Sequence, residues 1–361
     1  MGQMEAGPKV LMVSSDRNIL TPGSAVSERM IEYGGLVKEL HIVLLSDRSH
    51  RLESRKISPN VWVYPTNSIN RFLRPLDAVK LGKKISCSII TAQDPFECGW
   101  VGMKVKEKSG VPLEVQLHTD PFSSHFSGIL NFVRKLIAKK VLKKADGIRV
   151  VSESLASKIK SPRTYVLPIY VDRRRTESNP TFDLHKKYGF KFVILIVSRL
   201  SKEKNVSLAL EIIKSVKDVG AVIVGSGPEE TNLKNLAKRK GISDRVKFVG
   251  WQEDLASYYK TADVFIQTSE YEGYGLSLVE AGLSSLPVVS TPVGIANDLG
   301  NVKIAERPES FADIITGFMS DESGRKILGD NLKKELESEI YTKEAYLTKL
   351  KENWTKLSQK T

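Results

Sequence analysis

The segment Ala262–Ala281, ADVFIQTSEYEGYGLSLVEA, is the most informative stretch of this sequence. It begins with a short apolar run, Val264–Gln267, which predicts a buried strand. It continues through a loop that holds Gly273 and Gly275 and ends in a helical segment from Leu276 to Leu283. A buried strand that leads through a glycine-containing loop into a helix is the repeating unit of α/β folds with parallel sheets.

The same alternation extends over the whole chain. In the second half, strands are predicted at Phe192–Ser198, Ala221–Val224, Val246–Val249, Pro287–Ser290 and Val302–Ala305, and helices at Val206–Lys217, Glu229–Lys240 and Asp254–Lys260. In the first half, strands are predicted at Lys9–Ser15, His41–Ser46, Val61–Tyr64, Ser88–Thr91, Leu113–Leu117, Gly147–Ser152 and Tyr165–Pro168, and helices at Ala25–Leu40 and Phe96–Ser109. Because most strands lack polar alternation, we predict two doubly wound parallel sheets in Rossmann-like domains.

A chain of 361 residues is expected to form two domains. The polar, apolar-poor stretch Asp172–Lys187 predicts the linker between them. We therefore expect an N-terminal domain over residues 1–175 and a C-terminal domain over residues 188–342. The tail Lys343–Leu357 has an amphipathic helical pattern, and we expect residues 343–361 to pack back on the first domain.

Composition narrows the range of partners. The net charge of +13 favours phosphorylated or polyanionic partners, although solubility alone also accounts for it. Cys87 and Cys98 lie outside any metal-binding pattern, so we expect free thiols and no metal centre. The N-terminus lacks a signal-peptide pattern and no apolar run is long enough to cross a membrane, so we expect a cytoplasmic protein.

Three segments that follow predicted strands carry candidate binding residues. The first is Ser198–Asn205, SRLSKEKN, in which the guanidinium of Arg199 and the ammonium of Lys204 suit a diphosphate. The alternative is a solvated basic turn. The second is Gly225–Pro228, GSGP, where Gly225 allows the backbone to approach a nucleotide, or simply forms a tight turn. It matches neither the dinucleotide fingerprint nor the phosphate loop of nucleoside triphosphatases.

The third segment is the loop and helix start at Glu270–Ala281. Gly273 and Gly275 allow a tight backbone, and the helix that begins at Leu276 offers unpaired N–H groups to an anion. Glu280 is positioned to accept hydrogen bonds from a ribose, and Glu272 to approach a sugar. The structural alternative is that these carboxylates stabilise the helix by interacting with its dipole. This alternative accounts for one glutamate better than for two on either side of a glycine loop.

These motifs together resemble family 4 of the retaining GT-B glycosyltransferases, the glycosyl transferases of group 1. The resemblance rests on SRLSKEKN, VGSGPEE, KFVGW, the E-x7-E pair Glu272 and Glu280 within EGYGLSLVE, and PVVSTPVG, in family order along the second half. In the first half it is looser and rests on the segment Lys9–Ser24 and on VQLHTDP. It implies the GT-B fold, in which two Rossmann-like domains face a central cleft.

The resemblance also implies roles for individual residues. Arg199 and Lys204 would hold the donor diphosphate, and Glu280 would bind ribose. Glu272 would lie beside the transferred sugar. The remaining implied donor contacts are the backbone of Gly273, Tyr274, Gly275 and Leu276 at the helix start, the backbone of Gly23 near the phosphate, and His118 facing the donor sugar. His118 also has a purely structural interpretation, as a histidine at a strand end.

The sequence departs from the family pattern at two loop positions. Asn205 stands where a glycine often follows the lysine, and Ser24 stands where paired glycines are common. The expected mechanism needs no metal, because cationic side chains and a helix N-terminus stabilise the departing diphosphate. The resemblance implies front-face attack, in which the leaving phosphate helps to deprotonate the acceptor.

The expected function is therefore transfer of a hexose from a UDP- or GDP-sugar to a glycan or lipid-linked acceptor, in cell-surface polysaccharide or glycolipid synthesis. The alternatives are a nucleotide-sugar 2-epimerase of the same fold and an inactive nucleotide-sugar-binding partner subunit. A nucleic-acid binder is suggested by charge alone and lacks a recognisable motif, so we expect no nucleic-acid partner.

The segment Arg134–Lys144 is strongly basic. It carries paired cations, and apolar residues recur among them at helical spacing; these are Phe132, Val133, Leu136, Ile137, Val141 and Leu142. We expect these apolar residues to pack on the first sheet. The basic face is either simply solvated or in weak peripheral contact with an anionic membrane.

Overall fold

The computed structural model describes residues 7–123, 126, 128–171 and 173–359. The chain divides into two compact units. The first comprises the chain up to Pro168 together with the C-terminal segment from Thr342, and the second comprises Ile169–Tyr341.

The first unit is built on an eight-stranded sheet with the strand order β3-β4-β2-β1-β5-β6-β7-β8. Its strands are β1 Lys9–Ser14, β2 Glu39–Leu44, β3 Arg55–Ser58, β4 Val61–Pro65, β5 Ile89–Ala92, β6 Leu113–Leu117, β7 Gly147–Val150 and β8 Thr164–Val166. Its helices are α1 Ala25–Gly34, α2 Arg74–Gly82, α3 Glu97–Ser109, α4 Ile129–Lys144 and α5 Glu153–Ile159. The central strands are buried on both faces, which explains their apolar runs.

Two local features of this unit differ from the sequence-based prediction. The first sheet is not purely parallel, because β3 pairs antiparallel with β4 at its edge. This strand escapes prediction because it is short and begins with the exposed charged pair Arg55-Lys56, as edge strands often do. Helix α1 ends at Gly34, whereas a helix was predicted to continue to Leu40, which instead lies in β2.

The second unit contains a six-stranded, wholly parallel sheet with the order β11-β10-β9-β12-β13-β14. Its elements are α6 Arg174–Glu177, α7 Leu184–Tyr188, β9 Val193–Val197, α8 Val206–Ser215, β10 Gly220–Val224, α9 Glu230–Arg239, β11 Val246–Gly250, α10 Ala256–Thr261, β12 Val264–Gln267, α11 Leu276–Leu283, β13 Val288–Ser290, β14 Lys303–Ile304, α12 Pro308–Ser320 and α13 Glu322–Glu339. Both units have the α/β fold class that the apolar strands predict.

Residues 173–187 of the stretch predicted as a linker belong to the second unit, which begins at Ile169 rather than at residue 188, and Asp172 lies outside the described residues. Leu184 is fully buried. The backbone N–H of Thr181 donates to Ser257 Oγ at 2.8 Å, and the Thr181 hydroxyl donates to Asp254 Oδ2 at 2.8 Å. The polar composition that suggested a linker therefore provides hydrogen bonds to the start of α10.

The C-terminal helix, α14 Lys343–Ser358, belongs to the first unit. Trp354 is fully buried, and its indole Nε1 donates to Glu114 Oε2 on β6 at 3.1 Å. The hydroxyl of Tyr346 lies 2.7 Å from the Tyr33 hydroxyl of α1 and accepts a hydrogen bond from Arg149 Nη2 of β7 at 2.8 Å. Polar contacts within a buried interface thus tie the end of the chain to three elements of the first unit.

Helix α4 differs from its prediction in the direction its apolar residues face. In its C-terminal half, Ala138, Val141 and Leu142 are buried, as predicted for the latter two. In its N-terminal half, Phe132, Val133 and Leu136 are exposed rather than packed on the sheet. The hydrophobic pattern predicts burial equally in both halves of the helix. Only the packing of the neighbouring elements shows which half is buried.

Trp354→Ala should destabilise the first unit by about 3–5 kcal/mol, the usual cost of truncating a buried aromatic side chain, because it leaves a cavity under α14. It also removes a hydrogen bond to Glu114. The measurement is urea unfolding followed by circular dichroism. Trp251→Ala is the matched control, since Trp251 is 70% exposed and its loss should change the free energy of unfolding by less than about 0.5 kcal/mol. Equal stability of the two variants would contradict the docking of α14.

Candidate functional site

The candidate site residues of the second unit lie at the carboxyl edge of its sheet. Strands β10, β9 and β12 are neighbours in the sheet, so the loops that follow them lie side by side. The connections run outward from β9 towards β10 and β11 on one side, and from β12 towards β13 and β14 on the other. The strand order therefore reverses between β9 and β12, and such a switch point is the usual ligand site of an open parallel sheet.

Hydrogen bonds connect the two loops at this switch point directly. The backbone N–H of Glu270, after β12, donates to the carbonyl oxygen of Glu203, after β9, at 2.9 Å. The hydroxyl of Thr268 donates to the carbonyl oxygen of Asn205 at 3.0 Å. These bonds fix the loop that carries Lys204 against the loop that carries Glu272.

Lys204 and Glu272 form an ion pair at the centre of this arrangement. Lys204 Nζ lies 2.6 Å from Glu272 Oε1, and the two side chains are only 19% and 12% exposed. The hydroxyl of Ser269 donates to the same carboxylate oxygen at 2.8 Å. The structure thus brings together two residues to which sequence analysis assigned different parts of a donor, the diphosphate for Lys204 and the sugar for Glu272.

Arg199 is not part of this ion pair. Its side chain is 69% exposed, and its Nη2 donates to Glu203 Oε1 at 2.5 Å. Hydrogen bonding from the Ser201 hydroxyl, together with that from Arg199, lowers the pKa of Glu203 to about 2, so this carboxylate is ionised at neutral pH. An exposed ion pair of this kind contributes little to stability. The guanidinium can therefore exchange Glu203 for another anion at low cost.

Asn205, the residue that departs from the family pattern, adopts the conformation that glycine usually provides. Its φ of 44° and ψ of 44° lie in the left-handed region, immediately before α8. Asparagine enters this region more readily than other residues with a side chain. Its Oδ1 accepts a hydrogen bond from the Ser207 hydroxyl at 2.7 Å. The substitution therefore preserves the loop geometry, which the sequence left open.

Gly225 and Gly227 are required by the neighbouring loop. A Cβ atom on Gly225 would lie 2.0 Å from the carbonyl oxygen of Ser198, and one on Gly227 would lie 2.3 Å from that of Leu200. The backbone N–H of Leu200 donates to the carbonyl oxygen of Ser226 at 2.9 Å. These glycines let the loop after β10 pack on the loop after β9, which supports the tight-turn interpretation. A nucleotide contact of Gly225 remains a prediction.

The N-terminus of α11 is shaped by a residue that sequence analysis did not single out. Gly275 caps this helix at a φ of 100°. Below it, Gly294 has a φ of 59°, and a Cβ atom there would lie 2.5 Å from the carbonyl oxygen of Tyr274. The backbone N–H of Ile295 donates to the same oxygen at 2.8 Å. The sequence signal for this glycine is the turn PVG at residues 292–294, within the segment PVVSTPVG.

Tyr274 and Leu276, on either side of Gly275, differ in burial. Tyr274 is buried, and desolvation raises the pKa of its hydroxyl well above the ordinary value. Leu276 is 42% exposed and opens the helix. A buried tyrosine and an apolar leucine offer a donor no accessible polar side chain. The predicted donor contacts here would therefore be made by the backbone, including that of the partly exposed Gly273.

Glu280 lies in the second turn of α11 and is buried. Its Oε2 accepts a hydrogen bond from the Tyr259 hydroxyl of α10 at 2.9 Å. This contact orients the carboxylate and joins two helices. It gives Glu280 a structural role in addition to the predicted one.

The two remaining candidates lie in the first unit, at the carboxyl edge of its sheet. Gly23 has a φ of 72° in the turn between β1 and α1, where the Ser24 hydroxyl caps α1 by accepting from the Ser27 N–H at 3.1 Å. His118 follows β6. Burial, and then the charges of Arg149 and Arg29, lower its pKa to about 4, so the imidazole is neutral at pH 7.

Over the part of the chain that the structure describes, no three or more His, Cys, Asp or Glu side chains form a group that could hold a metal ion. No helix among the described residues is long and apolar enough to cross a membrane.

Two Rossmann-like units of this kind constitute the GT-B fold, and solved structures agree. Sucrose-phosphate synthase from Thermosynechococcus elongatus aligns with a TM-score of 0.81 at 17% identity, over 98% of this chain and 100% of that one. HepE of Anabaena, solved in complex with UDP-glucose, aligns with a TM-score of 0.75 at 19% identity, over 98% of this chain and 100% of that one.

The sequence comparisons find similarity chiefly in the second unit. Residues 180–335 match the model of the family of glycosyl transferases group 1. The lipopolysaccharide core biosynthesis mannosyltransferase LpsB of Rhizobium meliloti is 28% identical over 54% of this chain and 55% of that protein. The alpha-monoglucosyldiacylglycerol synthase of Acholeplasma laidlawii is 26% identical over 63% of this chain and 65% of that protein. The chain therefore spans a little over half to two thirds of the length of these relatives.

Asn205→Gly should preserve the stability of the second unit, whereas Asn205→Ala should lower its free energy of unfolding by about 1 kcal/mol. Both variants lose the acceptor of the partly exposed Ser207 hydroxyl, but only alanine is strained at this positive φ. The measurement is thermal unfolding of both variants. If Asn205→Ala is as stable as Asn205→Gly, the left-handed conformation is not required at this position.

The neutral His118 should make the first unit less stable in acid. In the unfolded chain this histidine titrates near its ordinary pKa of 6.5, and in the folded chain near 4, so the unfolded state binds the proton first as the pH falls. The stabilising contribution is present above about pH 6.5 and is lost as the pH falls towards 4. His118→Gln should therefore lose less stability than the wild type between these pH values in urea titrations. His50→Gln, at an exposed position, is the control and should follow the wild type.

Proposed function

We propose that this protein is a retaining, metal-independent hexosyltransferase. It would transfer a sugar from a UDP- or GDP-sugar to a glycan or lipid-linked acceptor in polysaccharide or glycolipid synthesis. The observation that carries the proposal is the Lys204–Glu272 pair, held at the switch point of the second sheet beside the N-terminus of α11. The named activities of LpsB and of the diacylglycerol synthase, and the UDP-glucose bound by HepE, support the same class of reaction.

Stabilisation of the leaving group is the main contribution of this site. When the bond between the sugar C1 and the donor phosphate oxygen breaks, its electron pair remains on the diphosphate, whose negative charge rises. The Lys204 ammonium, the Arg199 guanidinium and the first N–H groups of α11 would stabilise this charge. Their interaction is stronger in the transition state than with the intact donor, so it accelerates the chemical step.

Glu272 would exchange partners when the donor binds. Its carboxylate interacts with Lys204 and Ser269. A diphosphate that attracts the Lys204 ammonium would leave the carboxylate available to sugar hydroxyls. In this way one ion pair positions both the Lys204 ammonium that would bind the phosphate and the Glu272 carboxylate that would accept hydrogen bonds from the sugar.

Glu280 would bind the ribose from a position that Tyr259 already orients. Ribose hydroxyls do not change charge during transfer, so this contact would contribute to donor binding and not to the rate of the chemical step.

The family resemblance further assigns Gly23 to the donor phosphate and His118 to the donor sugar. With a pKa of about 4, His118 would exchange hydrogen bonds with a sugar hydroxyl as a neutral imidazole. The acceptor oxygen would form its bond to C1 on the face from which the diphosphate leaves, and its proton would pass to the departing phosphate oxygen. This front-face route retains the anomeric configuration.

A thermal-shift panel of UDP, GDP, ADP and their sugar conjugates tests the donor class, because a ligand that binds only the folded state raises the melting temperature. The donor so identified is then incubated with acceptors in excess EDTA, and the anomeric configuration of the product is determined by NMR. Transfer with retention supports the proposal. Loss of activity in EDTA that magnesium restores would contradict metal independence, and sugar interconversion without an acceptor would indicate an epimerase.

The Arg199→Ala, Lys204→Ala double variant should lose about 10²–10³-fold or more in kcat, since removing one preorganised donor to a developing anion typically has this effect. Lys202→Ala is the matched control, because Lys202 is an exposed cation of the same loop and should leave kcat unchanged. The measurement is kcat and KM with the identified donor, with circular dichroism to verify folding. A folded double variant with wild-type kcat would show that this loop is only a basic turn.

A further inference from the structure

Helix α4 presents an apolar stripe to solvent. Ile129, Phe132, Val133 and Leu136 follow one another at the helical spacing i, i+3, i+4, i+7 and therefore lie on one face. They are 85%, 62%, 48% and 54% exposed. In a surface helix of a globular protein, apolar residues at this spacing normally form the face that packs on the core. Here the core-facing residues are those of the C-terminal half, Ala138 and Val141 among them.

The same helix carries cations beyond the apolar stripe. Lys139, Lys140 and Lys143, the basic stripe, are exposed and continue the helix towards its C-terminus. No acidic residue occurs anywhere in α4. The exposed face of the helix thus changes along its axis from the apolar stripe to the basic stripe.

An ion pair joins this helix to α3, which also contacts α2, next to a second exposed apolar segment. Arg134 of α4 contacts Glu97 of α3 at 2.7 Å, and the charge of Glu97 also acts on Arg74 of α2. At this end of α2, Phe72 is 71% exposed and Leu76 is 48% exposed. Helices α2 and α4 both begin after strands that run parallel in the sheet, so these side chains lie at the same edge as His118.

We propose that the apolar stripe of α4 inserts into an anionic lipid bilayer while the basic stripe contacts its head groups. The apolar stripe extends roughly 10 Å along the helix axis at about 1.5 Å per residue. Interfacial helices lie in the membrane plane and bury such an apolar face to a depth of about 5–10 Å. Anionic head groups complement the basic stripe and the net charge of +13.

This inference extends the proposed function, to which it is related through the lipid-linked acceptor. It differs from a purely electrostatic contact of the basic segment, because apolar insertion is only weakly screened by salt. Vesicle binding at high ionic strength therefore distinguishes the two modes of contact.

The test is co-sedimentation of the full-length protein with vesicles of phosphatidylcholine alone, or mixed with phosphatidylglycerol, at low and high salt. The wild type should bind the anionic vesicles, and part of this binding should persist at high salt. Phe132→Ser combined with Leu136→Ser should lower the partition coefficient about tenfold or more at both salt concentrations. Lys139→Gln combined with Lys140→Gln should lower it chiefly at low salt.

Ile327→Ser is the matched control, because Ile327 is 60% exposed on α13 of the second unit. This variant should bind vesicles like the wild type. Wild-type binding by the Phe132→Ser, Leu136→Ser variant, or no vesicle binding by the wild type, would overturn the proposal. So would a dimer in analytical ultracentrifugation that this variant dissociates, since the stripe would then bind a second copy.

Donor-induced thermal shifts, measured on the same variants, separate this proposal from the proposed function. Vesicle binding through the apolar stripe without stabilisation by any nucleotide sugar would support the membrane surface and contradict the proposed enzyme activity. Stabilisation by a nucleotide sugar without vesicle binding would support the proposed enzyme activity and contradict the membrane surface.

Discussion

The reversal of strand order between β9 and β12 is the constraint on which the candidate site depends. It brings together two loops separated by more than sixty residues of sequence, and the hydrogen bond from the Glu270 N–H to the Glu203 carbonyl oxygen joins them. Lys204 and Glu272 meet because of this reversal, at 2.6 Å and largely shielded from water. A cation and an anion held in this way do not have to be organised when a charged ligand arrives, which is the condition for efficient electrostatic stabilisation.

Backbone conformation determines the shape of this site more than side-chain chemistry does. Gly225 and Gly294 are both positions where a Cβ atom would collide with a neighbouring carbonyl oxygen. Asn205 adopts the left-handed conformation in place of a glycine. The loops after β9, β10, β12 and β13 can therefore form hydrogen bonds with their neighbours, and α11 begins from one of them. A site built mainly from backbone groups leaves few side chains by which sequence could reveal which base or sugar it binds.

The first unit is stabilised by a buried polar network that connects distant parts of the chain. Glu114 on β6 accepts hydrogen bonds from Thr91 at 2.6 Å and from Trp354 at 3.1 Å, and it is also bonded to Tyr165. A buried carboxylate is tolerated only when it is hydrogen-bonded in this way. Glu114 lies on β6, which ends at Leu117 directly before His118, so the network supports the strand that leads to this candidate residue.

The sequence by itself determined most of the strands and the α/β class, and it singled out Lys204, Glu272 and Glu280 as candidates, because apolar runs and short motifs are local properties. It did not reveal the edge strand β3 or the packing of residues 173–188, whose polar side chains look the same in a linker and in a hydrogen-bonded surface. Nor did it reveal that the stripe Ile129–Leu136 faces solvent. Helical periodicity defines an apolar face, but only tertiary structure decides whether another element covers it. The same holds for the Lys204–Glu272 contact, since the distance between remote residues depends on the order of strands in the sheet.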